Sequence, residues 1–319
     1  MKKLQYGILS TASIVERFVR AVQSTTHSDV AAIASRSLQK AQAHAQKLQI
    51  DKAYGTYQEL FNDPKIDIIY IATPNEHHYQ DIKNALNQKK HVLCEKPFTL
   101  TSQQAREVFQ LAQEKQCFLM EAQKSVFLPT TLAIKNYIQT QELGPLLQID
   151  ISSSYTGRHP EGHWMNQPHQ GGALIPSGSY TIEYLNFIMD QPADHYHAHY
   201  TQMTTKAIDE VSLNLKYGNV LAHSFISVKT NTKNTATFFF EKGYIDVFEF
   251  WKARGYTVHH WETNTKTHYP LPVDYEMMYE VDHLYECLKE KRLTSPIMSP
   301  QATLTCIEMV EAIQKSASI

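Results

Sequence analysis

The chain has 319 residues, 42% hydrophobic and 19% charged, with a formal net charge of -2 at pH 7; this predicts a folded protein of two domains and excludes a disordered one. The near-neutral charge gives no reason to expect nucleic acid or a membrane surface as a partner, and no apolar stretch reaches the ~18 residues of a membrane span. Four scattered cysteines and an N-terminus without a signal-peptide pattern favour a cytoplasmic protein with buried thiols.

Short apolar runs alternate with helical patterns from the N-terminus to residue 122. The patterns predict strands at 4–10, 30–35, 66–73, 91–94 and 117–122, with helices between them at 13–24, 38–48, about 79–86 and after the capping pair Thr101 and Gln104. The run IDIIYIAT at 66–73 is typical of a strand that is covered on both faces. We therefore predict an α/β fold whose N-terminal Rossmann domain, residues 1–122, contains a parallel sheet.

The pattern changes in the remainder, 123–319. It predicts a helix at 131–140, strands near 147–151, 211–215, 236–240 and 244–250, a hairpin turn at Gly218-Asn219, and helices at about 275–292 and 300–315. These elements indicate a C-terminal α+β domain with a large, mostly antiparallel open sheet. We expect the outer face of that sheet to carry the alternating apolar residues of 236–250. We therefore expect the chain to form a homodimer or homotetramer through that face.

The first strand is followed by Ser10, Thr11, Ala12, Ser13 and Ile14, where a Rossmann domain carries its phosphate-binding turn. Serine and alanine are small enough to let main-chain N–H groups approach a pyrophosphate at a helix N-terminus. They do not relax the backbone as glycine would. The segment alone fits either a dinucleotide site or a plain turn of small residues.

The second strand ends in Ser35-Arg36, with no carboxylate to bind the ribose hydroxyls of NAD. The guanidinium of Arg36 suits a 2′-phosphate, so the sequence favours NADP and makes NAD the less favoured cofactor. An exposed arginine at a helix start is the alternative interpretation of Arg36.

Two further strand ends carry polar side chains. One is followed by Thr73, Pro74, Asn75 and, at the start of the next helix, His78; the other ends in Glu95-Lys96-Pro97. Because ligands bind at the carboxyl edge of a doubly wound sheet, we predict that these residues contact the cofactor.

These strand ends, together with the block GGALIPSGSY at 171–180, resemble the Gfo/Idh/MocA oxidoreductase family over nearly the whole chain. The resemblance implies that Lys96 lies beside the nicotinamide and that Tyr180, the last residue of the block, is the acid/base group. A tyrosine there resembles the dihydrodiol dehydrogenase and glucose-fructose oxidoreductase branches, whose members mostly use NADP. An ordinary tyrosine has a pKa of about 10, so it needs a nearby cation, and we expect Lys96 to supply it.

The chain departs from the family pattern at two positions near the expected substrate site. Val126 stands where arginine is common, and Pro176 replaces an aspartate of the GGAL block. The candidate substrate contacts are Lys124, Arg158, Trp164 and Pro176. The leading hypothesis is an NADP-dependent dehydrogenase of a sugar or cyclic diol. The alternative, which Pro176 favours, is a regulatory protein that binds the cofactor without turnover.

Three imidazoles alternate along a possible strand at His195, His197 and His199. This spacing fits a metal site, but an exposed sheet face is the better explanation, and we predict no metal.

Overall fold

The computed structural model describes residues 3–157, 159–160 and 162–317. They form two compact units: residues up to Gln123 with Tyr275–Leu304, and Lys124–Asp274 with the residues from Thr305 onward. None of the described helices combines the length and the apolar character needed to cross a membrane.

The helices and strands are numbered here in chain order. The helices are α1 Ser13–Ser24, α2 Leu38–Leu48, α3 Tyr57–Asn62, α4 His78–Asn87, α5 Ser102–Lys115, α6 Pro129–Thr140, α7 Leu174–Ile188, α8 Met278–Lys289 and α9 Pro300–Ala317. The strands are β1 Leu4–Leu9, β2 Ser28–Ala34, β3 Lys52–Tyr54, β4 Ile68–Ile71, β5 His91–Glu95, β6 Leu119–Ala122, β7 Leu146–Ser154, β8 His195–Gln202, β9 Ile208–Tyr217, β10 Val220–Ser227, β11 Thr235–Phe240, β12 Gly243–Phe248, β13 Gly255–His260 and β14 Thr265–Pro270. Short 3-10 helices cover Asn75–His77, Lys124–Phe127, Trp164–Asn166 and Phe250–Lys252.

The first unit contains the parallel sheet that the sequence predicts. Among its described residues the strand order is β3-β2-β1-β4-β5-β6, and every neighbouring pair is parallel. Helix α1 packs its apolar face on this sheet, and Phe18 stacks on Tyr70 of β4 with the ring centroids 3.5 Å apart. The prediction omitted β3 and α3, because β3 is a three-residue strand without a buried residue and α3 is only six residues long.

Residues 275–304 pack with the first unit, although the boundary expected at residue 122 assigned them to the second domain. Helix α8 contacts α1, and its buried Val281 and Leu284 explain the packing. Polar contacts support it: His27 lies 2.9 Å from the Asp282 carboxylate, and Arg17 pairs with Glu276.

The second unit contains an open sheet in the order β14-β13-β12-β11-β7-β10-β9-β8 among the described residues. The β7–β10 pair is parallel and the other pairs are antiparallel, which confirms the mostly antiparallel sheet. The apolar residues of 236–250 divide between the two faces of this sheet. Ala236, Phe238, Phe240, Ile245 and Val247 are buried in the core.

The outer face carries the residues between those buried positions. They are Thr237, Phe239, Tyr244, Asp246 and the 63% exposed Phe248. Side chains alternate between the two faces of a strand, so a pattern of apolar residues at every position does not say which set points inward. The outer face is a mixture of aromatic and polar groups.

Two leucines of α2 test the packing of the first unit. Leu48 is 4% exposed, whereas Leu38 at the other end of the helix is 48% exposed. Leu48→Ala should lower the free energy of unfolding by about 2–5 kcal/mol because it leaves a cavity. Leu38→Ala should change it by about 0.5 kcal/mol or less. Urea unfolding of both variants checks this, and equal losses would contradict the packing described.

Candidate active site

The carboxyl ends of four parallel strands meet at one edge of the first sheet. In the registers, Leu9 of β1 pairs with Ala34 of β2 and Ile71 of β4, and Ile71 pairs with Cys94 of β5. One or two residues further along the chain are residues that the sequence singled out: Ser10, Ser35, Thr73 and Lys96. The fold therefore brings the predicted cofactor residues of the first unit to a common edge.

Ser10 occupies the tight position of the first turn. Its φ of 107° lies where glycine is favoured, so a serine there carries backbone strain. Two hydrogen bonds of its hydroxyl compensate: it donates to the Ala72 carbonyl at 2.7 Å and accepts from the Ala12 N–H at 3.1 Å. Ser10 thus joins the ends of β1 and β4.

Helix α1 begins after Ala12 without a side-chain cap. The main-chain N–H groups of a first helical turn lack helical acceptors, and they carry the positive end of the helix dipole. Ser13 is exposed, and Thr11 and Ile14 are partly exposed. This donor set fits a pyrophosphate.

The end of β2 has no carboxylate, as the sequence predicts. Ser35 is buried and its hydroxyl accepts from the Ser37 N–H at 3.4 Å, while the Arg36 side chain is exposed. Burial raises the pKa of nearby Tyr57; Asp81 acts in the same direction and Arg36 in the opposite one. An exposed guanidinium at this edge fits a phosphate better than a ribose diol.

His78 connects the turns that follow β4 and β5. The ring is buried, with Nδ1 2.9 Å from the Pro97 carbonyl and Nε2 2.9 Å from the Thr73 carbonyl. Burial lowers the pKa of His78, whereas both carbonyl contacts and the charge of Glu95 raise it. Both nitrogens face main-chain oxygens, and the neutral ring donates its one N–H to either of them, which links the two turns.

Neighbouring groups fix the same turns. Tyr70 donates to the Glu95 carboxylate at 2.6 Å, and the Thr73 hydroxyl donates to Asp81 at 2.7 Å. Asn75 is buried at the start of a short helix, Pro74 is exposed, and Lys96 is partly buried. Tyr70 and Asp81 were not among the predicted site residues. A tyrosine within a buried strand and an aspartate within a helix cannot be distinguished from structural residues by sequence pattern alone.

In the second unit, two glycines determine where α7 begins. A Cβ at Gly171 would lie 2.4 Å from the Met165 carbonyl oxygen, and one at Gly172, whose φ is +78°, would lie 2.3 Å from that of Ile208. Only glycine permits this approach. Pro176 lies buried in the first turn of α7, where its missing N–H costs no helical hydrogen bond. The sequence did not predict this helix from its periodicity.

Tyr180 lies one turn after Pro176, on the same face of α7. The Lys124 ammonium donates to its hydroxyl oxygen at 3.1 Å and lies 5.2 Å from its ring centroid. The ring also contacts Trp251, with the centroids 6.1 Å apart. We call Lys124, Tyr155, Tyr180 and Trp251 the tyrosine cluster.

Tyr155 belongs to the cluster because Tyr180 influences its pKa. Burial raises the pKa of Tyr155 and Tyr180 acts in the same direction, whereas a hydrogen bond with Ser177 lowers it. Tyr155 and Trp251 were not among the predicted site residues, because they lie outside the GGAL block along the chain.

The other predicted substrate residues have different surroundings. Trp164 is partly buried against the core of the second unit, next to His163, with the centroids 5.7 Å apart. Arg158 lies outside the described residues. His197 and His199 have their rings 4.6 Å apart on the exposed β8, and no group of three or more metal-ligating side chains was found in the described part of the chain.

Comparison with known families gives two matches that cover most of the chain. A family model described as "Oxidoreductase family, NAD-binding Rossmann fold" matches residues 4–123, and the "GFO/IDH/MocA C-terminal domain" matches residues 131–246. The chain is 31% identical to trans-1,2-dihydrobenzene-1,2-diol dehydrogenase of Mus musculus, covering 99% of this chain and 97% of that protein. It is 28% identical to D-xylose 1-dehydrogenase (NADP(+)) of Hypocrea jecorina, covering 99% and 92%.

Solved structures share the fold at lower identity. An aldose-aldose oxidoreductase from Caulobacter crescentus, complexed with glycerol, has a TM-score of 0.89 at 21% identity, covering 99% of this chain and 98% of that one. A mutant of a 3-ketoreductase from Actinomadura kijaniata, in complex with TDP-benzene and NADP, has a TM-score of 0.87 at 20% identity, covering 98% of each chain.

Two adjacent histidines, His77 and His78, test whether His78 stabilises the turns that follow β4 and β5. His78→Leu removes the donor between two buried carbonyls and should lower the free energy of unfolding by about 1–3 kcal/mol. His77→Leu is the matched control, because the His77 side chain is 48% exposed and should tolerate the change. Thermal unfolding of both variants gives the comparison. Equal stability of the two would show that His78 braces nothing.

Proposed function

Since this chain belongs to the Gfo/Idh/MocA oxidoreductase family, we propose that it is an NADP-dependent dehydrogenase that oxidises a secondary alcohol of a sugar or cyclic diol. The observation that carries the proposal is the pairing of the Tyr180 hydroxyl with a buried lysine ammonium. A hydroxyl with an adjacent cation is what proton exchange with a carbinol requires.

The cofactor preference rests on the edge of the first sheet. The uncapped start of α1 offers N–H donors for the pyrophosphate, and Arg36 offers a guanidinium for a 2′-phosphate. The proposed contacts are the predicted residues: Ser10, Thr11, Ala12, Ser13, Ile14, Ser35, Arg36, Thr73, Pro74, Asn75, His78, Glu95 and Lys96. Bound at this edge, the nicotinamide would accept the hydride of the carbinol carbon.

The protein's own residues handle the proton. Tyr180 takes the proton from the substrate hydroxyl during oxidation and returns it during reduction. Lys96 is the cation expected beside the nicotinamide. Aromatic side chains suit the apolar faces of sugars and cyclic diols, and Trp251 beside Tyr180 offers one. The relatives named for a dihydrodiol and for D-xylose support this substrate class.

Arg36 provides the test of cofactor choice. NADPH should bind more tightly than NADH by about 1–3 kcal/mol, the contribution of charge-assisted hydrogen bonds to one phosphate. Arg36→Ala should abolish most of that difference, whereas Lys40→Ala, an exposed cation on α2, should preserve it. Calorimetric titration with both cofactors measures this. Equal dissociation constants in the unmutated protein would contradict the assignment.

Tyr180→Phe tests the proposed chemistry, because it keeps the ring and removes the hydroxyl. Turnover should fall by about 10²–10⁴-fold while the NADPH dissociation constant stays the same. Tyr196→Phe, in an exposed tyrosine of β8, is the control. If NADP is never reduced with a broad panel of sugars and diols, and Tyr180→Phe changes nothing, the regulatory alternative replaces the enzyme.

We also propose that the outer face of the large sheet mediates homo-oligomer formation. Leu221 of β10 and Phe248 of β12 are 62% and 63% exposed on that face. Large apolar side chains on a broad sheet favour association. The double variant Leu221→Glu/Phe248→Glu should be monomeric by light scattering at micromolar concentration. Leu38→Glu, at an exposed leucine outside the sheet, should leave the oligomer intact, and an unmutated monomer would refute the proposal.

A further inference from the structure

We propose that Lys124 is a positioning residue for Tyr180: its ammonium fixes the orientation of the hydroxyl and promotes its loss of a proton. The inference deepens the proposed function and rests on it. It assigns Lys124 a role through Tyr180, where the sequence indicated a direct substrate contact.

The burial of Lys124 is the first observation. The residue is 5% exposed, and a lysine is seldom so buried unless its charge is paired or hydrogen-bonded. Its ammonium lies within hydrogen-bonding distance of the Tyr180 oxygen, at 3.1 Å. An ammonium has donors only, so the tyrosine oxygen is the acceptor in this contact.

The direction of this hydrogen bond determines where the tyrosine proton can go. With one lone pair occupied by Lys124, the hydroxyl proton must point away from the ammonium. When the proton leaves, the phenolate lies beside a cation and is stabilised by it. The hydrogen bond from Lys124 therefore orients the protonated hydroxyl of Tyr180 and stabilises its phenolate.

The local fold holds the lysine in place. Lys124 opens a short 3-10 helix, Lys124–Phe127, all of whose residues are buried. The Thr131 hydroxyl of α6 donates to the Ser125 carbonyl at 2.6 Å, which fixes the main chain next to Lys124. This segment contacts both α7, which carries Tyr180, and the short helix that carries Trp251. The geometry is therefore set by the packing of three elements.

Tyr155, which follows β7, is a further titratable group near Tyr180. Tyr180 raises the pKa of Tyr155, so Tyr155 contributes no cation to the cluster. Trp251 is neutral at every accessible pH. Lys124 is thus the group of the tyrosine cluster whose charge favours the phenolate.

Kinetics in a double-mutant cycle test the coupling. Lys124→Met keeps the aliphatic chain and removes the charge, and it should lower kcat by about 10-fold or more and move the pH profile of kcat to higher pH. Lys124→Arg should restore part of kcat. In the Tyr180→Phe background the same Lys124→Met change should have little effect, because the group it acts through is gone. Lys242→Met, at an exposed lysine, is the control.

Two outcomes would overturn the inference. A rise in KM with kcat and its pH profile unchanged would make Lys124 a substrate contact. Equal fold-losses for Lys124→Met with and without the Tyr180 hydroxyl would make its role independent of Tyr180.

A measurement without turnover separates this inference from the proposed function. The chain has 18 tyrosines, so the Tyr180 signal in protein labelled with ¹³C at the tyrosine Cζ is assigned by its loss in Tyr180→Phe. Its pH titration should shift upward by about one unit or more in Lys124→Met, because a cation is removed from the phenolate. An unchanged titration overturns the inference even if the protein is an active dehydrogenase, and a shifted one supports it even if no substrate is found.

Discussion

The shared edge where β1, β2, β4 and β5 end is the constraint on which the first unit depends. Parallel pairing aligns these ends, and the turns that follow must bury polar main-chain groups without a further strand to bond them. Ser10 and His78 solve this by bonding one turn to the next: Ser10 joins β1 to β4, and His78 joins β4 to β5. The start of α1 and the Arg36 side chain, by contrast, are exposed.

The second unit depends on a different constraint, the close approach of main chain at Gly171 and Gly172. Because no side chain fits there, the chain can turn directly into α7, and α7 then presents Tyr180 to Lys124. The buried ammonium is costly unless it is hydrogen-bonded, and the tyrosine oxygen supplies a partner. The hydrogen bond between Lys124 and Tyr180 therefore gives the buried ammonium a partner and places a cation beside the proposed acid/base group. A change at either residue would remove it.

Much of the first unit could be predicted from sequence, because buried parallel strands and amphipathic helices leave strong periodic signals, as in 66–73. The sequence does not determine which residues of the second sheet point toward the core. In the run Phe238–Phe240 every residue is apolar, so periodicity does not identify Phe239 as the outward one. The topology of a parallel sheet predicts that the residues at the strand ends lie at one edge. It does not predict the partners of Tyr180, since Lys124 and Trp251 approach it only through tertiary packing.

The proposed reaction transfers a hydride from a carbinol carbon to NADP. Following a deuterium label from that carbon to the nucleotide is the most direct test of this step. The protein would be incubated with NADP and either carbon-deuterated D-xylose or a carbon-deuterated cyclic 1,2-diol, and the nucleotide would be analysed by mass spectrometry. We expect NADPH that carries one deuterium from at least one of these substrates, and none with Tyr180→Phe over the same period. NADP that binds but never acquires deuterium from either compound class would contradict it.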